Sequence, residues 1–192
     1  MICTESLLQN NALADFSIEI KTALYALTET GARISEILNL SYENIHLDHE
    51  IPHIEICENE TWKPKCAGDT RIIPLVGAAL HAYQLMPSGH RGVFKKPDLF
   101  VNNVNKCLAK KGLIEKTDSI RSLRKQYETR LREAYVKDSL IHSITRIPPP
   151  IYTPCGLSLH ERQMKKAPLI YLKISQFCMN KIKLDFTELM PC

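Results

Sequence analysis

No stretch of this 192-residue chain is apolar for long enough to cross a bilayer, and residues 1–10 lack the basic start and apolar core of a secretory leader. Neither a transmembrane helix nor a signal peptide is therefore expected. Cysteine is present but unpatterned: seven residues, scattered and odd in number, with no Cys-x-x-Cys. That argues against a disulfide framework and for reduced cytosolic thiols. No internal repeat and no low-complexity tract occurs, so the chain does not read as a repeat array or a disordered tail.

What is present suits one soluble globular domain able to bury a core without staples: 44% apolar and 24% charged residues. The net charge of +4 hides an asymmetry. Residues 1–60 carry two basic and eleven acidic side chains, a balance of −9, and residues 61–192 carry 23 basic and ten acidic ones, a balance of +13. A basic two-thirds is the footprint a polyphosphate surface requires, although charge scattered over a solvated face gives the same count.

Leu13, Phe16, Ile20, Leu24 and Leu27 recur at helical steps, predicting a helix from Leu13 to Glu29 that Gly31 ends. Ile34 to Leu40 reads as a short second helix. His53 to Cys57 alternates like a strand, Thr70 to Pro74 reads as another, and Glu58 to Asp69, with Pro64 and Gly68, should connect them as a hairpin. Helical patterns resume at Val76 to Leu85, at Asp98 to Lys110 with Asp98 as N-cap, and at Ser119 to Ala134. Pro148-Pro149-Pro150 cannot continue a helix, and one more helix is expected from about Leu159 to Lys166.

Two segments carry chemical signals. His49-Glu50-Ile51-Pro52-His53 fits the H-E-x-x-H zinc pattern, and His46 adds an imidazole. That chemistry needs both histidines on one helical face. Pro52 opposes the helix and the following alternation is strand-like, so no metal ligands are expected there. The other segment is Thr30-Gly31-Ala32-Arg33-Ile34-Ser35-Glu36-Ile37-Leu38-Asn39-Leu40. It sets Arg33 just after a helix-ending glycine, where a guanidinium fork can grip an oxyanion, with Glu36 one turn on to orient it or cap the helix start.

That string resembles the first arginine box of tyrosine recombinases of the phage-integrase type, T-G-x-R-x-S-E-x-x-x-L. Two further likenesses follow in the family's order. Lys65, with Lys63 as a less well-spaced rival, precedes Arg71-Ile72-Ile73-Pro74-Leu75 as a lysine precedes an R-x-x-P-L strand in the recombinase hairpin. Arg121-Ser122-Leu123-Arg124-Lys125-Gln126-Tyr127-Glu128-Thr129-Arg130-Leu131 resembles H-x-L-R-x-x-x-x-T-x-L, with Arg124 as the second arginine and Arg121 where the family has histidine. Arginine stays protonated, so Arg121 can bind phosphate but cannot accept a proton. Beyond Leu131 the match thins. His142 and Tyr152 are the candidates for the later histidine and the nucleophile. By spacing alone Thr145-Arg146 takes the histidine's place, and His160 with Tyr171 is a second, later pairing.

The resemblance covers residues 13 to 152. It implies a mainly α-helical catalytic domain (1–152) with a small antiparallel sheet, no N-terminal DNA-clamping domain, and a tail (153–192) available for oligomer contacts. It implies site-specific breakage and rejoining of double-stranded DNA, without a nucleotide or other cofactor, by a homo-oligomer in the cytoplasm of a bacterial or phage-like system. Arg33, Lys65, Arg124, His142 and Tyr152 would be catalytic, and Lys63, Arg71, Arg121 and Lys125 would contact DNA. An inactive or truncated DNA-binding remnant of an integrase is the alternative.

Overall fold

A computed structural model of the chain describes residues 4–8, 12–59, 62–63, 70–115, 117–146 and 168–180. Helix α1 (Thr4–Leu8) precedes a turn holding Leu13 and Phe16, and α2 spans Ile18–Thr30. The helix predicted from Leu13 starts five residues later. Leu13 and Phe16 are buried, but the Phe16 amide bonds the Leu13 carbonyl in a turn (2.9 Å), so the apolar spacing serves a capping turn there. Gly31 ends α2 as expected, at φ 59° and ψ 15°. Only glycine fits: a Cβ there would lie 2.4 Å from the Tyr127 ring and 3.1 Å from the Thr145 methyl.

Helix α3 (Ile34–Leu38) leads into β1 (Ile45–His46), then β2 (His53–Ile56) and β3 (Arg71–Pro74). The three strands form an antiparallel sheet in the order β1-β2-β3. Ile54 pairs with Ile45 on one side and Ile73 on the other, and all three are buried. Strand β1 is not foreseen by the sequence pattern, because two residues are too few to show alternation. The His49-to-His53 segment runs through bends into β2 and is not helical.

Helices α4 (Gly77–Leu85), α5 (Pro97–Lys110), α6 (Ser122–Glu133), α7 (Asp138–Thr145) and α8 (Pro168–Asn180) follow. The expected N-cap Asp98 lies inside α5. Lys96 caps and Pro97 takes the first helical position, where its missing amide costs nothing. Helix α6 starts three residues later than predicted. The helix expected from about Leu159 to Lys166 lies outside the described residues. The core is laid down by α2, which packs on α4 and α6 through Ala23, Leu24 and Leu27, and by Leu123, Tyr127 and Leu131 of α6, the stripe that four-residue spacing predicts. Among the described residues no helix is long and apolar enough to cross a membrane.

Candidate functional site

The boxes read from the sequence meet around the C-terminal end of α7. A helix C-terminus leaves carbonyls without intrahelical partners and carries the negative end of the helix dipole, so it attracts guanidinium groups. Arg71 Nε donates to the Ile144 carbonyl at 2.6 Å. An Arg124 Nη2 hydrogen bond falls on the next carbonyl, that of Thr145. Arg146 closes the helix in the left-handed region (φ 56°), and its Nη2 donates to the Thr70 carbonyl at 2.9 Å, beside the start of β3.

The first box is joined to this end by Arg124, whose Nη1 donates to the Gly31 carbonyl at 2.8 Å. Two residues on, Arg33 caps α3. Its amide and its guanidinium both bond the Glu36 carboxylate, at 2.6 Å and 2.8 Å. The two readings of Glu36, as orienter and as cap, are therefore satisfied together. Arg33 keeps 26% of its side chain exposed while its guanidinium bonds Glu36.

The partner that holds Glu36 from below is Arg71. Its Nη1 and Nη2 reach the two carboxylate oxygens at 3.0 Å and 2.6 Å, and both side chains are 0% exposed. Burial pushes the Glu36 carboxyl up, but the hydrogen bonds and charge of Arg71 and the two bonds from Arg33 outweigh it and hold the group below the usual carboxylate range. Arg71 is expected from the sequence to contact DNA. The structure encloses its guanidinium, which bonds Glu36 and the Ile144 carbonyl, and Glu36 in turn bonds Arg33. A glutamate among the apolar residues Ile34, Ile37 and Leu38 signals a carboxylate that needs a cation if buried, but nothing local names Arg71 as that cation.

The remaining expected residues are spread. Arg121, at the start of α6, is exposed and pairs with Asp98 of α5 at 2.6 Å. Lys125, one turn on, is exposed and pairs with Glu128 at 3.1 Å. His142 is half-buried in the last turn of α7, with its carbonyl bonded to the Arg146 amide at 2.7 Å. Lys63 is exposed between β2 and β3. Lys65, Tyr152 and His160 lie outside the described residues, and Tyr171 falls in α8, which packs against β3. Arg146 enters the sequence reading only through a count of spacing, yet it stands at this junction. No local pattern marks it, because its place depends on where α7 ends.

No protein-family profile matches the chain, and no curated protein matches it. Among solved structures, the integrase from mycobacterium phage Brujita aligns with a TM-score of 0.59 at 15% identity, over 93% of this chain and 60% of that one. The Tn1549 transposon integrase, solved in complex with transposon right end DNA, aligns with a TM-score of 0.45 at 17% identity, over 77% of this chain and 58% of that one. The structural neighbours are thus phage and transposon integrases. The first likeness shows that the chain has the fold of an integrase, mainly helical with a small antiparallel sheet, and that it spans about three-fifths of the length of that protein.

Proposed function

We propose that the chain is the catalytic core of a site-specific DNA strand-exchange protein of the tyrosine-recombinase type. The observation that carries this reading is the Arg124 bond to the Gly31 carbonyl, which joins two arginine boxes lying about ninety residues apart (|i−j| = 93). In the proposed reaction the Tyr152 hydroxyl gives up its proton to solvent and its oxygen attacks the scissile phosphorus in line. A 3′-phosphotyrosyl bond forms and the 5′-oxygen leaves, taking a proton from Lys65. Arg33 and Arg124 neutralise the non-bridging oxygens, where charge builds in the transition state, and His142 hydrogen-bonds the phosphate. The phosphodiester energy is conserved in the tyrosyl linkage, so no nucleotide is consumed. The double-stranded DNA partner and assembly of several copies on it belong to the same reading, as does the division into a catalytic unit (1–152) and a tail (153–192).

A second reading, a DNA-binding relic without catalysis, has its own support. Arg121 stands where the family has histidine and is tied to Asp98. Incubation with a nicked suicide DNA substrate separates the two. The recombinase reading expects an adduct that survives denaturation, disappears in Tyr152→Phe, and falls on the order of a hundredfold or more in Arg33→Ala. An adduct that persists in Tyr152→Phe and vanishes in Tyr171→Phe moves the nucleophile to α8. DNA binding with no adduct on any substrate selects the relic.

A further inference from the structure

The imidazole cluster dismissed as a helical zinc motif is rearranged by the sheet into a different set of donors. Antiparallel pairing places His46 of β1 directly opposite His53 of β2. Glu55, two residues beyond His53, shares its face of the sheet. A ring nitrogen of each histidine and a carboxylate oxygen of Glu55 all lie within 4.8 Å of one another, and His46 Nε2 is 3.6 Å from Glu55 Oε1. Donors on one tetrahedral zinc ion sit about 3.4 Å apart, so small side-chain rotations suffice to close this set on an ion.

Two features point to a ligand. His46 Nε2 is covered by protein and has no hydrogen-bond partner, and its separation from Glu55 is too long to be one. His53 is buried, and its Nδ1 lies 2.8 Å from the Ile51 carbonyl. Donation from Nδ1–H to that carbonyl leaves the ring's lone pair on Nε2, the orientation that metal-ligating histidines receive from a main-chain oxygen. The pattern glutamate, Glu50, is occupied elsewhere, 2.9 Å from Lys173 Nζ.

We propose that His46, His53 and Glu55 form a binding site for a divalent transition-metal ion of the zinc class, which fastens β1 to β2 and keeps a fourth position for water. Two imidazoles and one carboxylate suit zinc rather than the oxygen-seeking magnesium or calcium. This inference stands apart from the strand-exchange reading and would survive its failure.

The test uses the full chain freed of metal by chelation and titrated with zinc chloride, with cobalt(II) as a spectroscopic stand-in. One zinc per chain is expected, together with a cobalt absorption band of four-coordinate intensity. Glu55→Gln and His46→Gln, whose side chains are 41% and 37% exposed and so can change without unfolding the sheet, should each weaken zinc at least about a hundredfold. His49→Gln and Glu50→Gln should leave the affinity within about threefold, since neither supplies a donor. Circular dichroism of each variant checks that the fold persists. Absence of stoichiometric zinc, binding indifferent to Glu55→Gln and His46→Gln, or binding lost with His49→Gln and Glu50→Gln would each overturn the assignment.

Discussion

At the scale of single residues, the centre of the candidate site is a carboxylate rather than an arginine. Glu36 receives Arg33 from the solvent side and Arg71 from the core side. Removing Arg71 leaves the buried Glu36 carboxylate with Arg33 alone as its counter-charge, and a buried charge that loses a partner costs more than the pair itself contributes. Arg71→Met should therefore destabilise the fold by about 3–5 kcal/mol, while Glu36→Met combined with Arg71→Met should cost less than the sum of the single changes by at least about 1 kcal/mol. Urea denaturation of the four proteins in a double-mutant cycle measures this, and additive costs would show that the two groups are not coupled. The same residues mark how much of the site was legible. Arg33 and Arg124 stood out because their neighbours form strings with a recognisable order. The burial of Arg71 did not, since a basic residue at the head of a strand reads as surface until the third dimension supplies Glu36 beneath it.

At the scale of elements, helices were legible where a stripe of apolar residues persisted, as in α6, and misplaced where apolar spacing served a turn, as before α2. The loop after α4 had no readable pattern, yet it holds the molecule together. The His90 and Arg91 amides both bond the Leu40 carbonyl, at 3.0 Å and 2.9 Å, and the buried His90 ring lies 3.0 Å from Thr22 Oγ1 of α2. Burial drives this imidazole down to about 4, against a weaker upward pull from Glu19. A histidine whose folded value lies below its unfolded one is protonated preferentially in the unfolded chain. Its contribution is complete above about pH 6.5 and drains away as pH falls toward about 4. The loss attributable to His90 is on the order of 3 kcal/mol across that window. Denaturation midpoints measured from pH 7 to pH 4 should fall more steeply in the wild type than in His90→Gln, which does not titrate. Parallel curves would mean that His90 is not held neutral by the fold.

At the scale of the whole molecule, the charge distribution separates an acidic first third from a basic remainder. The acidic first third contains β1, β2 and the proposed cation site, and the basic remainder contains Arg121, Arg124 and Lys125 along α6. Arg121 and Lys125 are exposed and paired with Asp98 and Glu128. Exposed pairs of this kind are worth little in water, so both cations can be transferred to phosphates without a large penalty. Under either proposed reading they would make, with Arg33 and Arg124, about four phosphate contacts, each releasing counterions from DNA. Under the strand-exchange reading and under the relic reading alike, the logarithm of the DNA affinity should fall against the logarithm of salt concentration with a slope of about −4. Arg121→Ala should make that slope shallower by about one and weaken binding similarly on unrelated sequences, because a phosphate contact carries no base information. Arg71→Met, tested under conditions where it remains folded, should leave the slope unchanged, since its guanidinium is enclosed. Fluorescence anisotropy on a short duplex over a salt series reads all three slopes. An affinity indifferent to salt, or a slope that moves with Arg71 and not with Arg121, would place the DNA on another face of the molecule.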